Sequence, residues 1–411
     1  MSFIQSLWDN PVQLAIPLIS AIIGWWTNVV AIQMMFRPLD FVGIRPLLGW
    51  QGIIPANALR LANTGLKLVT EKLLDIRELF TPEASRELLE ARRDHIEAMT
   101  RRLIEDKAPQ RFPGMWNALS PAIKDQVIAR ATDEVMRLSG EVLGDAAANI
   151  SELLHVQRIV SVAVVEDKAL MNHIFQSVGA AEFKFIERSG FWFGGLFGLV
   201  QLVIWLLYPA WWILPFFGFL VGYATNLVAL RLIFDPKEPM TIGPFTFQGL
   251  FHRRQKQIAV EFAQVMTGRV LNAENLFREL ATGDSRETLL GYVKARVHQT
   301  LDELKKQPML AMLVAGPAGA ELEAEVLEAI EAEMFTDGGL VHDFADKSDT
   351  IRDTLIARMS VMESEAFEDV LRPAFKQDEW KLILAGAALG LVAGVAQLMW
   401  LFGDMVLGSG G

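Results

Sequence analysis

The sequence predicts an all-α integral membrane protein: four transmembrane helices as two parallel two-span repeats, with long helical cytosolic arms. Three observations carry this. Apolar runs long enough to cross a bilayer occur four times, at about residues 12–36, 190–208, 211–234 and 381–403. The first run matches the third, and the second matches the fourth. The stretches between them are polar and repeat at helical spacing, with no alternating strand pattern of useful length.

Composition agrees. In 411 residues, 52% are hydrophobic and 21% charged, and the mean hydropathy is +0.28, a mixture suited to spans joined by solvated helices. The net charge of -11 argues against nucleic acid as a partner, which needs dense Lys and Arg. Without cysteine, disulfides, thiol catalysis and Cys-based zinc sites are excluded. The N-terminal run lacks a basic leader and ends at Arg37-Pro38, so it is expected to be a retained span rather than a cleaved signal.

The spans are justified in order. "GWWTNVVAIQMMFRP" (24–38) returns as "GYATNLVALRLIFDP" (222–236). Pro17, Gly24, Thr27, Asn28, Ala31, Phe36 and Pro38 pair at a constant offset with Pro215, Gly222, Thr225, Asn226, Ala229, Phe234 and Pro236. "QGIIP" (51–55) pairs with "QGLFH" (248–252) after one deletion. In the second and fourth spans, Gly190, Gly194, Gly198 and Gln201 pair with Gly386, Gly390, Gly394 and Gln397. Two spans per half, an even number, give both halves the same orientation. The resulting division is a first span with its Thr-Asn motif (1–38), a first arm (39–189), a hairpin of spans two and three (190–236), a second arm (237–379), and a fourth span with a short tail (380–411).

Orientation follows from Lys and Arg. Arg37, Arg45, Lys184, Arg188, Arg231, Lys237, Lys376 and Lys381 lie at one end of the spans, and the other flanks carry none. The positive-inside rule places the arms in the cytoplasm and both termini outside. Trp8, Trp211, Trp212 and Trp400 suit an outer aromatic belt, and Trp380 an inner one.

In the arms, Leu66, Val69, Leu73, Ile76 and Phe80 read as a coiled-coil-like seam. Thr81-Pro82-Glu83 and Ser120-Pro121 read as helix starts, the latter before Ile128, Ala131, Val135, Leu138 and Val142. "RFPGMW" (111–116) and "VAGPAGA" (314–320) read as breaks. In "ELEAEVLEAIEAEM", Leu322, Val326 and Ile330 mark a buried side. The glutamates form either a solvated face or a docking surface for a basic partner.

No phosphate loop, dinucleotide fingerprint, nucleophile elbow or metal-spaced histidine set is present. No catalytic, cofactor or metal residue is assigned, and no cofactor is expected. Three other features stand out. The glycine stripes Gly190, Gly194, Gly198 and Gly386, Gly390, Gly394, with Gly24 and Gly222, allow close helix approach or leave a lipid-facing groove. Thr27, Asn28, Thr225 and Asn226 place amides at membrane depth, where an unpaired amide costs several kcal/mol. They either clamp each Asn to the opposite half or line a polar path or lipid site. Arg37, Arg253, Arg254 and Lys256, around an expected interfacial helix, either meet lipid head groups or serve as a topology signal.

At "GWWTNVVAIQMMFRP", "QGIIP", "AEFKFIERSG", "GYATNLVALRLIFDP", "FQGLF" and "FEDVLRPAFKQDEWKLILAGAALGLVAG" the chain resembles the bacterial membrane family catalogued as domain of unknown function 445. The resemblance covers both halves. It implies a bacterial inner-membrane protein with large helical cytosolic parts, and no reaction or catalytic residue. The expected function is non-enzymatic: scaffolding membrane and cytosolic partners, or organising the envelope. The alternative is a passive conduit or carrier for a lipid or small solute between the repeats. Membrane lipids, a cytosolic protein and further copies of the chain are the expected partners.

Overall fold

A computed structural model describes residues 11–44, 48–306, 316–336, 338–372, 376 and 379–407. Trp8, Arg45, part of the 314–320 break and part of the Asp-Glu-Trp block fall outside them. The chain is helical almost throughout, and four helices are long and apolar enough to cross a membrane: Val12–Phe36, Ala180–Leu207, Ile213–Phe234 and Glu379–Leu401. The second span begins about ten residues before its apolar run, because "AAEFKFIERS" has good helix formers and nothing to stop the helix.

The first span packs along the second, and the third along the fourth. In each pair the glycines bring the backbones into contact. A Cβ at Gly198 would lie 2.7 Å from Pro17 Cα, and one at Gly194 2.5 Å from the Ser20 carbonyl oxygen. One at Gly24 would meet Gly190. The other pair repeats the steps. Gly394 faces Leu214 and Pro215, Gly390 faces Gly218, and Gly386 faces Gly222. Without side chains there, van der Waals contact runs the length of each pair. Outward from these seams, Trp25, Trp192, Leu196, Leu384, Val392 and Met399 are exposed, as a lipid-facing surface requires. Trp211, Trp212, Trp380 and Trp400 are exposed as well.

Two short antiparallel hairpins were not legible as strands. Val42–Ile44 pairs with Leu48–Trp50, and Met240–Ile242 with Phe245–Phe247. Each follows a Thr-Asn span and carries the chain back to the helix end. With three residues per strand, no periodicity can register.

By its internal contacts the chain forms two units, each drawing on both halves. One comprises 1–73, 161–265 and 354–411 and holds the four spans. The other comprises 74–160 and 266–353. In it, helix Pro121–Ala148 packs against Arg93–Arg111, Pro82–Ala91 and Gly283–Lys305, and Gly283–Lys305 packs against Gly316–Met334. Thr81 caps helix Pro82–Ala91 through the Ala84 N–H at 3.2 Å. Ser120 precedes Pro121–Ala148 without a side-chain cap bond. The coiled-coil-like seam from Leu66 to Phe80 is not one helix. The helix stops at Lys72, and the Asp75 carboxylate accepts from the Arg77 N–H to hold a short 3-10 turn, Ile76–Glu78. Local side-chain capping there competes with the helical ladder.

The glycine seams predict a graded mutational response. Gly194→Leu and Gly390→Leu should each destabilise by about 1–3 kcal/mol or more by overpacking. Gly195→Ala, whose Cβ would sit 3.5 Å from Ala21 Cβ, should be tolerated. Thermal unfolding in detergent would check this, and equal midpoints for all three would refute it.

Candidate functional site

The Thr-Asn motifs sit inside the glycine seams. Gly24, Thr27, Asn28 and Ala31 share one helix face, so the small residues admit the neighbour and the polar ones meet it. Asn28 is fully buried, and its Nδ2 donates to the Ile186 carbonyl at 2.7 Å. Asn226 is equally buried and donates to the Leu382 carbonyl at 3.1 Å. Both carbonyls are reached one turn beyond a glycine, Gly190 or Gly386, whose Cβ would collide with the Asn amide. Glycine and asparagine are therefore one device. This differs from a clamp that ties each Asn to the opposite half. Each amide binds the helix of its own pair, because the glycine contact brings that carbonyl closest.

One bond does cross between the pairs: the Thr225 hydroxyl donates to Asn28 Oδ1 at 3.4 Å, and also to the Val221 carbonyl at 2.8 Å. Thr27 Oγ1 donates to the Gly24 carbonyl at 3.1 Å. Asn226 Oδ1 has no hydrogen-bond partner among the described residues. Toward the far end of the first pair, Ser20 Oγ donates to Gln201 Oε1 at 2.7 Å.

The Gln-Gly motifs have a role the sequence did not disclose. Gly52 N–H donates to the Pro38 carbonyl and Gly249 N–H to the Pro236 carbonyl, each at 2.9 Å. Gln51 and Gln248 donate to the carbonyls of Leu39 and Lys237. A Cβ at Gly52 would lie 2.8 Å from Arg37 N, and one at Gly249 2.6 Å from the Ile233 oxygen. A short turn, Ile53–Ala56 or Leu250–Arg253, is locked under the span's end and leads into a longer helix, Ala58–Lys72 or Gln255–Arg269. The last carbonyls of the spans are satisfied differently. Phe36 O accepts from Asn172 Nδ2 at 2.8 Å, and Phe234 O pairs with His252 Nε2 at 3.1 Å.

Charges gather around these ends. Arg254 binds both oxygens of the buried Glu182, at 2.7 and 2.8 Å, and also meets Glu261. It is thus committed within the protein rather than to a lipid head group. Arg37, Arg253 and Lys256 are exposed. Glu368, buried, faces Lys237 and His252 at 3.5 Å and pairs with Arg372. Burial pushes the His252 imidazole below its usual range; Glu368 opposes this, while Lys237 and Arg372 add to it.

Beside these groups lies an apolar cavity of about 740 Å³, counting its open mouth. Met35, Phe175, Ile186, Ile233, Phe251 and Leu382 line it, with Glu182 and Glu379 its charged lining among the described residues. In the other unit, the acidic helix Gly316–Met334 pairs several of its part-exposed glutamates with basic side chains of the same unit. Arg111 meets Glu321 and Glu325, Arg286 meets Glu331, and His298 meets Glu323. Among the described residues, no cluster of three or more His, Asp or Glu could hold a metal ion.

These features define a helical membrane protein whose Thr-Asn amides serve its own packing. No family model matches the chain. It is similar to a UPF0754 membrane protein of Shouchella clausii, 32% identical over 123 residues, 29% of this chain and 31% of the relative. It is also similar to UPF0754 membrane proteins of Bacillus thuringiensis (27% over 126 residues, 28% and 32%) and Bacillus cereus strain G9842 (26% over 118 residues, 28% and 30%). The chain thus spans about a third of the length of the curated relatives it matches. No solved structure matches it.

Two outcomes are expected. Asn28→Ala, which removes two contacts, should lower the unfolding midpoint in detergent more than Asn226→Ala, by about 1–3 kcal/mol against a smaller loss; equal effects would count against the bonding described. Above pH 6.5, the ordinary His value, His252 is neutral whether folded or unfolded. As pH falls below it, the unfolded chain takes up the proton first, so stability falls toward the lowered folded pKa. His252→Gln should lose less stability than wild type as pH falls below 6.5. Parallel pH curves would refute this.

Proposed function

We propose that the chain is a non-enzymatic scaffold of the bacterial cytoplasmic membrane, self-associating, with its polar arms in the cytoplasm and both termini outside. The observation that carries this is that Asn28 and Asn226 are fully buried and give their amides to neighbouring helix carbonyls. Both amide N–H groups are taken up by packing within their own pair, which favours a structural role over a polar route between the pairs. The relatives, named as membrane proteins, support a membrane location. The matching glycine ladders support two parallel copies of one two-span unit.

Depth supports the same reading. Asn28 meets the second span at Ile186, between Lys184 and Arg188, and Asn226 meets the fourth beside Lys381. The Thr-Asn pairs then lie at the cytoplasmic edge of the hydrocarbon, where a span ends and a solvated helix continues. That position suits an anchor between membrane and arms. It suits a mid-membrane transport site poorly.

A second reading, a lipid carrier, is favoured by the apolar cavity under the spans. Reconstituted vesicles separate the two. A scaffold should release solute and scramble lipid no faster than protein-free vesicles. Faster scrambling that Met35→Trp abolishes at unchanged stability would overturn it. In cells, photo-crosslinkers at the exposed Gln126 and Arg130 should trap discrete protein partners, and their absence would count against the scaffold.

A further inference from the structure

We infer that the first span pair carries a site for one anionic phospholipid, with Arg188 as its head-group ligand. A groove on the outward face is lined by Ile22 and Trp25 of the first span and by Arg188, Phe191 and Trp192 of the second. All five are exposed, Trp192 at 74% and Trp25 at 44%. Among the described residues no carboxylate pairs with Arg188, whereas Arg254 and Arg372 are both committed to glutamates.

The level of the groove fixes its occupant. From Arg188 to the helix end at Leu207 is about 20 residues, or about 30 Å, the thickness of the hydrocarbon core. Arg188 therefore stands at the phosphate level. Trp192 lies one turn deeper, and Trp25 stands beside it, next to the Gly24–Gly190 contact. A guanidinium at phosphate level binds two phosphate oxygens at once. The indoles below it flank the upper acyl chain. A lipid whose phosphate charge is not offset by its own ammonium fits best.

Packing alone does not require these residues. At the matching positions of the other pair stand Leu384, Ala388 and Tyr223, and the glycine ladder there is just as tight. The charge and the two indoles are features of one pair only.

The test uses the purified full-length chain, delipidated in mild detergent and titrated by native mass spectrometry with phosphatidylglycerol or phosphatidylcholine of identical acyl chains. Wild type should take up the first phosphatidylglycerol at about tenfold lower lipid concentration than phosphatidylcholine. Arg188→Gln should bring the two lipids to parity at an unchanged melting midpoint, and Arg188→Lys should keep part of the preference. Lys381→Gln, which removes a charge from the other pair, should leave it intact. Trp192→Ala should weaken both lipids without altering their ratio. Equal binding of the two lipids by wild type, or a preference that survives Arg188→Gln, would overturn the site.

Discussion

In hydrocarbon no water satisfies a polar group, so every amide and carbonyl at the spans must find its partner inside the protein. The spans answer this with one repeated arrangement. Glycines strip side chains from a helix seam, and the backbones touch. An asparagine one turn on reaches a carbonyl that would otherwise lie out of range. Remove the glycine and the amide collides with a Cβ. Remove the asparagine and the close seam keeps its packing but loses its polar lock. The cross-pair bond from Thr225 to Asn28 is longer and weaker than either amide bond. Cohesion is therefore stronger within each pair than between them.

The same demand governs the ends of the spans. A helix terminus exposes carbonyls with no partner. Here the chain folds back through a hairpin and presses a Gln-Gly step beneath the helix. Asn172 meets the last carbonyl of one span and His252 that of the other. The two solutions differ in consequence. An amide is indifferent to pH, whereas His252 sits among Glu368, Lys237 and Arg372, so its charge state couples the end of the third span to acidity.

Outside the spans, charge is mostly spent internally. The acidic helix that suggested a docking surface meets Arg111, Arg286 and His298 within its own unit, and Arg296 binds Asp145 at 2.7 Å. Such half-exposed pairs add little stability each. They do lower the field that a basic partner would sense. Arg188, exposed and unpaired among the described residues, is the contrasting case, and it lies where lipid phosphate is available.

Spans, glycine stripes and the Thr-Asn motifs were legible because they are local or periodic. An apolar run of about 20 residues can do little else than cross a bilayer or fill a core. The two matching segments make chance an inadequate account of the Asn residues. What the asparagines bind was not legible. Ile186 and Leu382 present backbone carbonyls, which carry no residue signature. The hairpins were too short for a period. The seam from Leu66 to Phe80 kept its spacing across a break where Asp75 caps a short 3-10 turn. Read alone, the residues require four spanning helices and two buried polar amides. Which carbonyls those amides take, and which arginine stays unpaired among the described residues, is set by the packed fold. Those choices depend on distances across the chain, and a sequence orders residues only along it.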